Sequence, residues 1–179
     1  DAIALFSAFN ALGRTGFGVL STRLQRRHAV SRLAVLGANC ALMSGAMMLW
    51  ALGARALLYA TTALTAASYG GFWMLTPALA GELFGDAHYG TVWGFLQLAP
   101  TAGSELLFTV MSSAFYSRRA DDEGECDGDW ACFRPTFLVL ALLAISAALL
   151  IGAHLRLQSR RATASLKEPS EKGIWQRVD

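Results

Sequence analysis

Runs of mainly apolar residues, each about 20 residues long or longer, recur along this chain, and a run of that length matches the thickness of a lipid bilayer. Hydrophobic residues make up 54% of the 179 residues and charged residues only 16%, against about a quarter charged in soluble domains. We therefore expect an all-α, polytopic membrane protein with five transmembrane helices. A soluble bundle is the alternative, but the third and fourth runs are each long enough to cross a bilayer with tilt. The expected spans lie at about 2–21, 31–53, 56–80, 90–115 and 136–155.

Clustered charges predict how these spans are oriented. Arginines follow the first span (Arg23, Arg26, Arg27, Arg32) and the fifth (Arg156, Arg160, Arg161), which lie on one face if five spans alternate. The loop after the fourth span is acidic and falls on the opposite face. Basic residues in short loops mark the cytoplasmic side. We expect an exoplasmic N-terminus and a cytoplasmic C-terminus, in the plasma membrane or a vacuolar or other organellar membrane.

The chain begins at Asp1 without an initiator methionine, and no signal peptide with a basic start can be read. We therefore expect a piece of a longer protein, with a partial transmembrane domain over residues 1–156. Residues 157–179 are expected to form a disordered cytoplasmic tail.

Polar residues recur at helical spacing within the first span, where Asn10 and Arg14 share one face. An arginine inside the bilayer is costly unless it faces protein or water. The alternative is that Arg14 extends to the nearby headgroups.

The third and fourth spans carry longer polar faces. Tyr69 and Trp73 belong to the first of these faces, and Gln97 and Glu105 to the second. Such residues often only join neighbouring helices, so a structural role and a solute pathway both remain open. Glu105 lies deep in apolar sequence, where a carboxylate must be paired, hydrated or protonated.

Each of these two spans also contains a proline, Pro77 in the third and Pro100 in the fourth. Proline donates no backbone hydrogen bond, so it frees a carbonyl one turn earlier. Both prolines are hinge candidates.

Cys126 and Cys132 flank five residues of the acidic loop. The exoplasmic side permits disulfides, and a small ring would restrain this loop. Zinc binding is the weaker alternative because no histidine is near, so we predict no metal and no cofactor. No nucleotide-binding loop or hydrolase motif occurs, and we expect neither an enzyme nor a nucleic-acid partner.

The stretch GVLSTRLQRR after the first span resembles the cytoplasmic loop signature of the major facilitator superfamily. The match covers Gly18, Leu20, Ser21, Arg23 and Arg27. It departs at Thr22, where the family has an aspartate, and at Gln25, where it has a second glycine. These departures put in question the gating salt bridge that the aspartate makes in the family.

Longer stretches resemble the C-terminal part of nodulin-like members, relatives of the monocarboxylate-transporter-like branch. They are FNALGRTGFG, YGGFWMLTPALAGELFG, YGTVWGFLQLAPTAGS and CDGDWACFRPTFLV. The resemblance implies that the five spans match helices 8–12 of a twelve-helix fold whose N-terminal half is missing. It also implies alternating access, with Tyr69 and Trp73 at the cavity, Gln97 and Glu105 at the wall between halves, and Arg14 at the cytoplasmic gate or on an anionic substrate.

The leading hypothesis is a fragment of a secondary transporter for a small organic solute. An anionic solute and proton coupling through Glu105 are extensions of it. Its expected partners are membrane lipid, the solute and the missing half of the same chain. A non-transporting membrane scaffold or receptor is the alternative, and an intramembrane enzyme is a weaker one because no nucleophile–base pair can be assembled.

Overall fold

The computed structural model describes residues 2–53, 55–120 and 132–167. This part of the chain is all-helical and contains no β-strand, which confirms the all-α prediction. A 3-10 turn at Arg55–Leu57 and π-helical turns at Ser104–Val110 complete it. The α-helices are α1 (Ala2–His28), α2 (Arg32–Leu52), α3 (Leu58–Gly103), α4 (Met111–Ser117) and α5 (Arg134–Lys167).

Helix α3 is broken at Gly85, whose φ of 69° and ψ of 171° lie outside the helical region. These angles fall in a region that is open almost exclusively to glycine. We call residues 58–84 α3a and residues 86–103 α3b. The ring centroids of Trp73 in α3a and Trp93 in α3b are 6.4 Å apart, so α3b folds back along α3a. The third and fourth predicted spans leave a gap between residues 80 and 90, whereas the structure keeps helix on both sides of one glycine.

Three helices of the described part are long and apolar enough to cross a membrane, namely Ala2–His28, Arg32–Leu52 and Arg134–Thr163. These correspond to the first, second and fifth predicted spans. Helix α3 falls outside this set because its threonines, tyrosines and tryptophans interrupt the apolar sequence. The third and fourth spans therefore stay a prediction.

Two helices extend beyond their predicted ends. Helix α1 continues to His28 instead of ending near residue 21, and Ala29 then adopts a left-handed φ of 52° before Ser31 caps α2. Helix α5 continues to Lys167, so residues 157–167 are helical where a disordered tail was expected. A helix can continue into water beyond the end of its apolar run, and basic side chains stabilise the C-terminal turns of a helix. Residues 168–179 lie outside the described part.

Helices α1 and α3a cross at very close range. A Cβ atom added at Gly13 would overlap the carbonyl oxygen of Ala67, and one added at Gly70 would overlap that of Asn10. Small residues at such crossings let helix backbones meet without side chains between them. The contacts advance in the same direction along both helices, so α1 and α3a are parallel.

Helix α2 runs antiparallel to α3a and is joined to it by buried hydrogen bonds. The Asn39 amide donates to the Ser68 carbonyl at 3.0 Å, and the Ser68 hydroxyl donates to the Asn39 side-chain oxygen at 3.0 Å. Both residues are 0% exposed. Each polar group therefore finds its partner in the other helix.

The other side of α2 packs on α5, again antiparallel. The Ser44 hydroxyl donates to the Ala141 carbonyl at 2.9 Å, and the Trp50 and Phe137 rings stack with centroids 5.6 Å apart. Helices α1, α3a and α5 therefore point one way, and α2 and α3b the other.

Candidate functional site

A cavity of about 350 Å³ lies between α3a and α3b. Its apolar lining comes from Phe72, Leu96, Ala99 and Pro100. Five further lining residues carry a hydrogen-bonding group, namely Tyr69, Trp73, Thr76, Trp93 and Gln97. The break at Gly85 makes this site, because it brings the polar faces of two successive helical segments opposite each other.

The predicted polar face of α3a divides into two parts with different roles. Thr65 accepts a hydrogen bond from the Trp50 indole at 3.1 Å, and the buried Thr62 donates to its own helix at the Leu58 carbonyl. Tyr69, Trp73 and Thr76 instead line the cavity. The first part of this face therefore joins helices, and the last part lines a cavity.

Arg14 and Asn10 are brought to the same place as Trp73. The Arg14 Nε donates to the Asn10 side-chain oxygen at 3.1 Å, and the guanidinium carbon lies 5.9 Å from the centre of the Trp73 ring. This distance is within range of a cation–π interaction. The polar pair predicted on the first span therefore contacts one wall of the cavity through Trp73.

Arg14 also borders a second, more open groove of about 600 Å³ along α1. Arg23 and Arg26 lie farther along it, and Met74 of α3a forms part of its wall. Three guanidinium groups in one groove favour anions. Arg14 lines the groove and Trp73 lines the cavity. The contact between these two side chains is therefore where the basic groove meets the aromatic cavity.

Glu105 is exposed and does not line the cavity. It lies eight residues after Gln97, which is a rise of about 12 Å along a helix. It lies in the π-helical turns, where Thr109 bonds the Ser104 carbonyl five residues back. Within residues 2–53, 55–120 and 132–167, no cation lies within ion-pair distance of its carboxylate. The sequence grouped Glu105 with Gln97, and the structure separates them.

The two prolines occupy different surroundings. Helical geometry continues through Pro77, and the non-helical angles of α3 occur at Gly85. Pro100 lines the cavity and lies four residues before the π-helical turns begin. A helix break at Gly85 was not predicted from the sequence. The signal that could have indicated it is a glycine between two apolar runs.

The residues that resemble the loop signature lie within the last turns of α1 and not in a loop. Gly18 faces the Met74 side chain, which a Cβ would approach to 3.1 Å. Arg23 and Arg27 are exposed. Gln25, one of the departures from the signature, donates to Glu82 at 3.4 Å, and Arg32 forms an ion pair with the same carboxylate. The role of Glu82 in joining α1, α2 and α3a was missed, because Glu82 lies between the predicted spans 56–80 and 90–115.

Cys132 is 1% exposed and disulfide-bonded. Cys126 lies outside the described residues, so the pairing of these two cysteines stays a prediction. In the described ranges, no group of three or more His, Cys, Asp or Glu residues could hold a metal ion.

Comparison with known proteins points to transporters. Residues 1–163 match the family model described as NFD4, C-terminal domain. A protein of Emericella nidulans named "Probable transporter mch1" is 34% identical over 117 residues, which is 61% of this chain and 19% of that protein. A "Probable transporter MCH1" of Wickerhamomyces anomalus is 29% identical over 119 residues, 65% of this chain and 24% of the relative.

A "Probable transporter MCH1" of Debaryomyces hansenii is 24% identical over 156 residues, 84% of this chain and 30% of the relative. The chain thus spans about a fifth to a third of the length of these curated relatives. No solved structure matches it. Because the family model covers nearly all of the described helices, the chain belongs to the family of NFD4 C-terminal domains.

Proposed function

We propose that this chain is part of a secondary transporter of the major facilitator superfamily, in its nodulin-like branch, which moves a small organic solute by alternating access. The observation that carries the proposal is the cavity between α3a and α3b, with Arg14 over the ring of Trp73 in its wall. The named relatives, all called probable transporters, support it. On this proposal α3a and α3b are the third and fourth of five spans.

The orientation that we propose puts the arginine-rich end of the bundle in the cytoplasm. The antiparallel packing of α2 on α5 puts Arg32 and Arg156 at the same end of the bundle, where Arg32 pairs with the Glu82 carboxylate. Basic residues at one end agree with the expected cytoplasmic side. The N-terminal half of the transporter and the lipid bilayer are the proposed partners of the exposed apolar surfaces.

Uptake into proteoliposomes containing the full-length protein that carries these helices tests the proposal. We expect Trp73→Ala to reduce uptake at least about tenfold, because it removes a cavity wall and the ring beneath Arg14. The matched control is Phe95→Ala, which changes an aromatic residue of α3b that is 71% exposed and outside the lining, and which should leave uptake unchanged. Equal uptake by both variants would contradict the proposed pathway.

Proton coupling through Glu105 is a separate part of the proposal. Glu105→Gln keeps the size of the side chain and removes its charge. We expect the variant to lose the dependence of uptake on a pH gradient while it still exchanges solute across the membrane. An unchanged response to the gradient would remove Glu105 from the mechanism without affecting the cavity.

Accessibility distinguishes a transport cavity from a scaffold whose polar faces only join helices. With cysteines introduced at Thr76 and Gln97, a water-soluble maleimide should label both positions. A cysteine at Thr62, which is 8% exposed, should remain protected. Protection of all three positions would favour the scaffold.

A further inference from the structure

The cavity between α3a and α3b has a lining unlike the rest of the bundle. Four of its side chains are aromatic rings. Three of these rings cross one another: Tyr69 meets Trp73 edge-on at 6.1 Å, and Trp73 meets Trp93 edge-on at 6.4 Å. Tyr89 stacks on Trp93 at 6.3 Å with an angle of 4° between the ring planes. Rings in crossed orientations therefore form much of the cavity wall.

Hydrogen-bonding groups in these walls have no partner among the described residues. Most threonines of the helices bond a carbonyl of the preceding turn, as Thr61, Thr62 and Thr65 do. The Thr76 hydroxyl makes no such bond, and neither the Gln97 side-chain amide nor the Trp93 indole has a partner in the described ranges. Polar groups in an apolar wall are costly unless a partner is supplied.

Charge is absent from the lining, which contains no aspartate, glutamate, lysine or arginine. The nearest cation described above, Arg14, lies against Trp73 and borders the other groove. An anionic ligand group would therefore find no countercharge in the lining, and a cationic one would be repelled by Arg14 at the Trp73 ring. A ligand group inside the cavity is best uncharged. An acidic group of the same ligand would have to lie outside the aromatic walls.

The size of the cavity suits a ring system. A cavity of about 150 Å³ lined by apolar side chains holds benzene, and this one measures about 350 Å³. Aromatic rings prefer edge-to-face or offset contacts with other rings, and the crossed orientations of Trp73 and Trp93 offer both. Indole N–H groups donate, and Thr76 and Gln97 can donate or accept.

We infer that the cavity between α3a and α3b binds an uncharged aromatic ring that carries a hydrogen-bonding substituent. Binding of the ring does not depend on the proposed function. Only the statement that the ring belongs to the transported solute rests on that function. The substrate class is then aromatic organic compounds, including aromatic acids whose carboxylate lies outside the cavity.

Binding can be measured without transport, on the full-length protein in nanodiscs, by fluorine NMR of 4-fluorobenzamide. The probe combines a ring, an amide and no charge. We expect its signal to broaden on binding and to be restored by benzamide. Cyclohexanecarboxamide, which keeps the amide and the approximate size but has no aromatic ring, should compete at least about tenfold more weakly. Equal competition would mean a general apolar crevice and would overturn the inference.

Variants of α3b provide the matched comparison. Trp93→Leu should weaken binding of the probe at least about tenfold, whereas Phe95→Leu, which changes an aromatic residue that is 71% exposed and outside the lining, should not. Thr76→Val preserves shape and removes the hydroxyl, and should weaken binding about threefold to tenfold even if Trp93→Leu does not fold. Unchanged binding in Thr76→Val, or equal losses in Trp93→Leu and Phe95→Leu, would overturn the assignment.

The outcomes separate this inference from the proposed function. Binding of the probe without uptake of any solute would retain the aromatic site and contradict the transporter. If the protein takes up solutes, benzamide does not inhibit this uptake and the probe does not bind, the transporter proposal stands and the aromatic site is contradicted.

Discussion

Two regions of this molecule use polar residues in opposite ways. Where α1, α2 and α3a meet, buried polar groups find partners in a neighbouring helix, as Asn39 and Ser68 do. In α3b and the π-helical turns that follow it, large apolar side chains are exposed, including Phe95 at 71% and Phe108 at 62%. The side chains of Thr76 and Gln97, at the boundary between the regions, have no hydrogen-bond partner in the described ranges. The buried polar groups of the first region are paired within this chain, whereas the second region presents surfaces suited to lipid, to further protein or to a solute.

The tight crossing of α1 and α3a should be the position most sensitive to change. We expect Gly70→Leu to lower the free energy of unfolding by about 3 kcal/mol or more, because backbone atoms of α1 cannot move aside as a side chain can. Gly16→Leu, at a position on α1 with nothing within 4 Å, is the matched control and should have little effect. Equal stability of the two variants would contradict the close crossing.

Stability can be followed through Cys40, which is a free and buried thiol. Reaction of this thiol with a fluorogenic maleimide during heating reports the opening of the α1, α2 and α3a region. Replacement of Cys40 by alanine controls for other thiols.

Loss of the hydrogen bonds between α2 and α3a should have the second largest effect on the free energy of unfolding. Asn39→Leu leaves the buried Ser68 hydroxyl without its side-chain acceptor, and we expect a loss of about 1–3 kcal/mol in the free energy of unfolding. Ser146→Ala, which removes an exposed hydroxyl bonded to its own helix, should change stability by less than about 0.5 kcal/mol. In a double-mutant cycle, Asn39→Leu with Ser68→Ala should cost less than the sum of the single changes. Additive losses would mean that the two side chains act independently.

The break at Gly85 should matter less to the first region than to the cavity. Gly85→Ala forces a side chain into backbone angles that only glycine adopts easily, at a cost of about 1–3 kcal/mol. The chain can avoid this cost by moving α3b away from α3a. We therefore expect increased maleimide labelling at Gln97→Cys and little change in the heating profile of Cys40. If Cys40 also reacted at a lower temperature while labelling at Gln97→Cys increased, the two regions would unfold together.

The ion pair of Arg32 with Glu82 should give the smallest effect. Its side chains are 22% and 36% exposed, so solvent and salt screen the attraction. We expect Glu82→Gln to lower the free energy of unfolding by about 0.2–1 kcal/mol at low salt, and by less at high salt. The control is Asp86→Asn, since no ion pair of Asp86 occurs in the described part of the chain. A large loss that is insensitive to salt would indicate a buried role for Glu82.

Sequence periodicity predicted part of the cavity lining. Tyr69, Trp73 and Gln97 were identified from polar residues at helical intervals, and the structure brings all three to one cavity. Phe72 and Leu96 could not be identified in this way, because an apolar residue in an apolar segment carries no signal. Glu105 was grouped with Gln97 on the assumption of a continuous face, and the distance along the helix separates them. The break at one glycine and the pairing of Arg32 with Glu82 depend on tertiary contacts that a linear pattern does not contain.

The shared direction of α1, α3a and α5 has an electrostatic consequence at the arginine-rich end. All three helices present their C-termini there, and each terminus carries the equivalent of roughly half a negative charge. Arg26 and Arg27 lie in the last turn of α1, so they partly neutralise this potential. The field that a solute or a lipid headgroup meets at this end is therefore weaker than the count of arginines implies.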